Sequence, residues 1–203
     1  MRKLLLFDYD GVLVESLHFY YRKVKGALEL MGLNIIRTEE DYLTLFEDNF
    51  YASLEKKGVD LAQFLTAIKQ VESPTYSVRI HPFMVPVVRE LTQKHTLIVI
   101  SSNAREMILP LLTAAEISGY FQDIMGAETA FSKEEKIKIA LSKYRVKKED
   151  TFYIGDTAGD IKEGKGMGIK TVAITWGWHG KDRLLLQKPD FLIEDPKELL
   201  SLF

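Results

Sequence analysis

Leu4-Leu5-Leu6-Phe7-Asp8-Tyr9-Asp10-Gly11 decides how this chain is read. Four consecutive apolar residues suit a short strand buried on both faces, the kind a parallel sheet uses. Two carboxylates, Asp8 and Asp10, then leave its C-terminal end, where open α/β sheets bind their ligands. Carboxylates at i and i+2 of a straight strand point the same way. They repel each other unless a cation or a proton lies between them. Taken alone, Asp-x-Asp-Gly suits a solvated turn equally well.

Three further runs have the same character. Thr96 to Ile100 ends at Ser101-Ser102-Asn103, Thr151 to Ile154 at Gly155-Asp156, and Lys170 to Ile174 at Thr175-Trp176-Gly177. Helical periodicity over Phe83–Lys94, Arg105–Ala115, Glu134–Tyr144 and Ile161–Met167 lies around and between them. Strands alternating with such helices predict βαβ units and a parallel sheet covered on both faces. A last short strand is expected at Phe191–Ile193, then a helix from Pro196 with Asp195 as its N-cap.

The stretch from Glu15 to His81 lacks a buried-strand run. His18–Met31, Glu39–Phe50 and Leu61–Val71 read as helices, punctuated by Gly32, Gly58 and Pro74. This predicts a helical cap over residues 15–81, inserted into a core made of 1–14 and 82–203. The cap would stand over the carboxylates as a lid; the simpler alternative places its helices in the core layers.

With 203 residues, 46% hydrophobic and 28% charged, the chain can bury a core without disulfides. A net charge of -2, from 27 basic and 29 acidic residues, argues against a nucleic-acid partner held by bulk charge. The absence of cysteine excludes thiol catalysis and cysteine zinc sites and fits a reducing compartment. Met1-Arg2-Lys3 and four apolar residues are too short for a signal peptide or a membrane span. The expectation is a cytoplasmic protein with no membrane partner, monomeric or homodimeric.

The strand ends carry groups suited to phosphate chemistry. Ser101 and Ser102 offer hydroxyls and backbone N–H groups at the start of the Arg105 helix, and helix N-termini favour anions. Gly155-Asp156-Thr157-Ala158-Gly159-Asp160 adds two carboxylates, and oxygen-only acidic clusters suit Mg²⁺. A lysine, Lys133 or Lys136, precedes the third strand, although the charge run Ser132–Lys138 by itself reads as solvated surface. Each feature is weak alone; their order along the chain is what points to phosphate chemistry.

These residues resemble the haloacid dehalogenase superfamily. Phe7-Asp8-Tyr9-Asp10-Gly11-Val12-Leu13 is similar to its first motif and Ile98-Val99-Ile100-Ser101 to its second. Lys133 resembles the third, and Tyr153-Ile154-Gly155-Asp156-Thr157-Ala158-Gly159-Asp160 the fourth. The likeness includes His81-Pro82 and the stretch from Thr175-Trp176-Gly177 to Pro189-Asp190. It is strongest to the phosphoglycolate phosphatase-like branch, whose helical cap lies between the first two motifs.

The resemblance implies an α/β fold of three layers, a parallel Rossmann-like sheet with an inserted helical cap. It implies a Mg²⁺-dependent phosphohydrolase acting on a small phosphate monoester. Asp8 would be the nucleophile that forms an aspartyl-phosphate. Asp10 would be the general acid and then the base. The Asp8 carboxylate, the Asp10 backbone carbonyl and Asp156 would hold Mg²⁺, with Asp160 acting through water or hydrogen bonds. Ser101 and Lys133, with Ser102 beside them, would bind phosphoryl oxygens. The spacing of Lys133 to Ile137, Ala140 and Leu141 favours it over Lys136. Val12 stands where the family more often has Thr, and Ser102 where Asn is frequent.

Two other readings stay open. A phosphomutase on the same scaffold would need a cap residue to pass the phosphoryl group on, and none is marked. His18 lies too close to Asp10 along the chain and reads as a packed or exposed cap histidine. His179 reads as a turn former, and Trp176 and Trp178 as packing residues. A receiver-like binding module would carry similar acidic residues and a lysine, but is usually shorter and lacks the helical insertion. The dehalogenase branch is disfavoured because it lacks the acid/base that Asp10 supplies.

Overall fold

A computed structural model describes residues 2–72 and 78–203. The chain begins with β1 (Leu4–Phe7), β2 (Val14–Glu15), α1 (Leu17–Leu30), α2 (Glu39–Leu43), α3 (Phe50–Lys56), α4 (Leu61–Gln70) and β3 (Arg79–Ile80). It continues through α5 (Met84–Leu91), β4 (Thr96–Ile100), α6 (Arg105–Ala114), β5 (Phe121–Met125) and α7 (Lys133–Tyr144). It closes with β6 (Thr151–Gly155), α8 (Ala158–Gly166), β7 (Lys170–Ile174), α9 (Lys181–Leu185), β8 (Phe191–Ile193) and α10 (Glu198–Leu202).

Six strands form one sheet in the order β5-β4-β1-β6-β7-β8, with every neighbouring pair parallel. Strand side chains alternate between two faces. Leu5, Phe7, Leu97, Val99 and Ile154 pack with Met84, Val88, Ile108, Leu112 and Leu199 of α5, α6 and α10. Leu4, Leu6, Ile98, Ile100 and Tyr153 pack with Ile137 and Ala140 of α7. The fold is therefore a three-layer α/β sandwich, and both faces of β1 are dry, as its apolar run implied.

β1 lies between β4 and β6, with Leu6 opposite both Ile98 and Tyr153. Neighbouring strands run about 4.8 Å apart. The polar residues that close β4, β1 and β6 are thereby brought side by side at one edge of the sheet.

α1 to α4 lie between β2 and β3, which pair antiparallel through Val14 with Ile80 and Glu15 with Arg79. The chain thus leaves and re-enters the sheet region through one two-strand ribbon. These helices bury their own apolar set, including Val24, Leu28, Tyr42, Leu45, Leu54 and Phe64. Among the described residues, no helix is long and apolar enough to cross a membrane.

Several elements differ from the sequence expectation. β5 was not anticipated, because exposed Gln122 and half-buried Asp123 interrupt its apolar run at the sheet edge. Glu39–Phe50 is not one helix: after α2 and a 3₁₀ turn at Thr44–Phe46, Asn49 caps α3 by accepting from Ala52 N at 3.1 Å. α8 starts at Ala158 rather than Ile161, because Thr157 and Asp160 form a reciprocal capping box. The last helix starts at Glu198, and Asp195 instead caps the preceding turn by accepting from Lys197 N. Met1 and Pro74 lie outside the described residues.

Ile98 has no exposed surface on β4. Ile98→Ala is expected to cost about 2–5 kcal/mol, the usual range for truncating a buried isoleucine. Urea denaturation would show this as a lower midpoint with an unchanged m-value.

Candidate active site

The chain does not stay straight through Asp10. β1 ends at Phe7, although Asp8 N still donates to Ile154 O at 2.9 Å. Leu13 N and Val14 N then both turn back to Tyr9 O, with Gly11 at φ +73° in the left-handed region. Asp8 and Asp10 are therefore held by different partners, which corrects the picture of two carboxylates along one extended strand.

The Asp8 carboxylate accepts from Tyr9 N at 2.7 Å and from Lys133 Nζ at 2.6 Å. Asp10 instead accepts from Ser16 Oγ at 2.7 Å and Asn103 Nδ2 at 2.6 Å. Burial pushes the Asp10 carboxyl up to about 7, against the opposing pull of the Ser16 hydroxyl.

Lys133 is the cation of the site. Its ammonium lies 2.6 Å from Asp8 and 2.5 Å from Asp160. Burial acts to lower its pKa, but Asp160 and Asp8 outweigh that and hold the ammonium charged. Burial likewise raises Asp160, yet Lys133 and Thr157 together pull it below the usual carboxylate range. Asp160 also accepts from Asp156 N, Thr157 N, the Thr157 hydroxyl and the Tyr153 hydroxyl. Its oxygens are occupied, so it orients Lys133 and the loop.

Lys136 is buried too, with its ammonium donating to Ser101 O at 2.6 Å. The charge-run reading of these lysines as solvated is corrected. Both lie on the buried face of α7, one turn apart, and only Lys133 reaches the carboxylates.

Asp8, Asp156 and Asp160 each offer an oxygen within 4.8 Å of the others. Asp156 Oδ2 accepts from Trp178 N at 2.7 Å, while Asp156 Oδ1 is buried without a partner. Burial raises Asp156 and Asp8, and the neighbouring carboxylates raise both further. Asp8 and Asp156 are therefore charged in this desolvated site only at a cost, unless a cation or a proton faces them. An orphaned carboxylate oxygen among oxygen donors fits a hard divalent cation. The Asp10 carboxylate lies outside this group.

Ser101 is fully buried and its hydroxyl accepts from Asn103 N at 3.0 Å. Ser102 is half-buried and its carbonyl accepts from the Tyr51 hydroxyl at 2.8 Å. At the start of α6, Arg105 N donates to Glu128 at 3.0 Å.

Two glycines make room for Asp156. A Cβ on Gly11 would fall 1.9 Å from Asp156 Oδ2, and one on Gly177 2.2 Å from Asp156 Cβ. Other contributors carry no motif letter. Ser16 and Asn103 hold Asp10, and Glu163 accepts from Lys133 N and Asn49 Nδ2. His179 accepts from Ala158 N at 3.0 Å and lies 3.1 Å from Leu43 O, tying the start of α8 to the helical segment. Asn103 closes the quoted Ser101-Ser102-Asn103, so its place at a strand end was the one available signal. His18 is exposed and pairs with Glu39 at 2.6 Å, away from the carboxylates.

The sequence profile of the haloacid dehalogenase-like hydrolases matches residues 5–174. The chain belongs to that family and is an enzyme of its phosphatase type. Among curated proteins, it is 27% identical to a phosphoglycolate phosphatase of Aquifex aeolicus, over 98% of this chain and 96% of that protein. It is 23% identical to the pyrophosphatase PpaX of Listeria innocua, over 98% and 94%. A haloacid dehalogenase-like hydrolase from Streptococcus pneumoniae has the same fold, with a TM-score of 0.79 at 22% identity, covering 100% of this chain and 98% of that one.

Gly11→Ala is expected to leave a folded protein whose phosphatase activity falls by about 10²-fold, the scale of a misplacement near 1 Å. Circular dichroism and steady-state kinetics measured together test it.

Proposed function

We propose that this chain hydrolyses a small phosphate monoester, phosphoglycolate-like in bearing an anion of its own, through an aspartyl-phosphate on Asp8. The observation that carries this reading is the division of labour between two neighbouring aspartates. Asp8 faces Lys133 and shares the acidic cluster with Asp156, whereas Ser16 and Asn103 hold Asp10 apart.

Mg²⁺ is the proposed cofactor, held by Asp8, Asp156 and the Asp10 carbonyl, where it would supply positive charge to the phosphoryl oxygens. Lys133 contributes a second positive charge, and Ser101 and Ser102 contact the remaining oxygens. That charge lets a carboxylate approach a phosphate dianion. An Asp8 oxygen then bonds to phosphorus as the ester P–O bond breaks, and Asp10 delivers its proton to the leaving oxygen. Asp10, now ionised, takes a proton from the water that attacks the phospho-aspartyl phosphorus, which frees Asp8 and inorganic phosphate. A carboxyl near 7 suits a group that must give and then take a proton at neutral pH.

Residues 15–81 act as the cap over the 1–14 and 82–203 core. Tyr51 to Ser102, His179 to Leu43, and Arg183 to Glu47 seat the cap on the core. The geometry favours hydrolysis over phosphoryl transfer between sugars, because His18 stands outside the site and offers no acid or base to a second substrate.

Purified protein with MgCl₂ is expected to release phosphate from 4-nitrophenyl phosphate, and Asp8→Asn to abolish it. Turnover that survives Asp8→Asn would remove Asp8 from the nucleophile role. In thermal melts of chelator-treated protein, Mg²⁺ at about a hundred times its Kd should stabilise the fold by about 2.7 kcal/mol. Asp156→Asn should erase that gain.

A further inference from the structure

A cavity of about 200 Å³ lies between the helical cap and the core, and Asp10 forms part of its wall. Six aromatic residues line it, Tyr42, Phe46, Phe50, Tyr51, Phe64 and Trp178, beside aliphatic Val24, Leu65, Ile68 and Met107. Phe46 and Phe50 stack with centroids 5.1 Å apart, and Trp178 meets Phe46 edge-on at 4.8 Å. Sites of this kind bind the apolar body of a ligand and orient it with a few polar groups. An apolar cavity of about 150 Å³ is enough to admit a benzene ring. Glycolate, with two carbons, would leave most of this wall wet.

The lining also carries polar residues, with Ser102 and Asn103 beside Asp10. α1 contributes Tyr20 and Lys23, which share a face at i and i+3. Tyr20 marks the catalytic end: burial, and then the Asp10 charge, push its hydroxyl up. Lys23 stands one turn further along, about 4.5 Å in helix rise. It is half-buried, its ammonium lies 5.7 Å from the Phe19 ring, and burial alone lowers its pKa. No carboxylate among the described residues lies within ion-pair distance of Lys23 or of Lys69, the other lysine of the lining. Glu106, also in the lining, is exposed, so water screens its charge. Trp178 Nε1 is a buried donor without a partner, and Trp178 Cδ1 lies beside Gly11 of the site.

We propose that this cavity receives the leaving group of the substrate, and that Lys23 selects a phosphate monoester whose leaving group is a ring-sized apolar body ending in a second anion. This rests on the phosphohydrolase reading above and adds the substrate class. The aromatic side chains cover the body, and Lys23 gains the counter-ion it lacks. A simple aryl phosphate satisfies the wall but not Lys23. Phosphoglycolate has the anion but lacks the body that would carry it as far as Lys23.

The test is binding, read by tryptophan fluorescence in the Asp8→Asn protein with MgCl₂ present. The probes are phenyl phosphate, 4-carboxyphenyl phosphate and phosphoglycolate. The expected result is that 4-carboxyphenyl phosphate binds about tenfold more tightly than either of the others. Adding Lys23→Met should bring it level with phenyl phosphate, and Lys23→Arg should restore the preference. Three results would overturn the proposal: equal affinities for all three probes, a preference untouched by Lys23→Met, or no binding of any probe. Phosphate release from the same esters by the wild-type chain is measured separately. Its absence would overturn the phosphohydrolase reading, while the binding ratios would still decide what the cavity selects.

Discussion

Lys133 stands between Asp8 and Asp160 in a pocket almost closed to water, and the site depends on that placement. An ammonium so desolvated is disfavoured unless carboxylates face it, and carboxylates so close together are disfavoured unless a cation faces them. Each therefore requires the other. The arrangement still leaves one carboxylate oxygen, Asp156 Oδ1, with no partner. Packing carboxylates this closely is unfavourable unless a cation or a proton lies between them.

Backbone geometry maintains this close packing. The left-handed turn at Gly11 sends Asp10 away from Asp8 and toward Ser16 and Asn103. Gly11 and Gly177 let two loops close on Asp156 where any side chain would collide. Gly159 plays the same part for the cap: a Cβ there would fall 2.5 Å from Asp48 O. The motif glycine between the two acidic residues of that loop is thus a docking point for the inserted helices. His179 bridges the same junction from the other side.

Much of this was legible in the chain. β1 is an unbroken apolar run, and β4, β6 and β7 each carry three or more consecutive buried apolar residues, so burial on both faces could be read directly. β5 could not, because an edge strand keeps one side in water and Gln122 and Asp123 break its pattern. Asp8, Asp156 and Lys133, which the structure brings together, were singled out because each follows or precedes a readable element in a recognisable order. Ser16, Asn103 and Glu163 were not assigned roles, since nothing local separates a serine that caps a helix from one that holds a carboxylate at a strand end. Lys136 sits in the same charge run as Lys133, and their different duties appear only when Ser101 O and Asp8 are seen on the far side of each.

The sequence by itself determined the parallel sheet, the helical insertion and the acidic strand ends, because burial period and residue type are properties of short segments. Tertiary structure decided which partners hold each of these groups. It put Asp10 with Ser16 and Asn103, Asp8 with Lys133, and the cap aromatics around the cavity beside Asp10. The physical reason is range. A strand or helix is favoured by neighbours a few residues away, whereas the charge and shape of this site come from residues as far apart in the chain as Asp8 and Lys133.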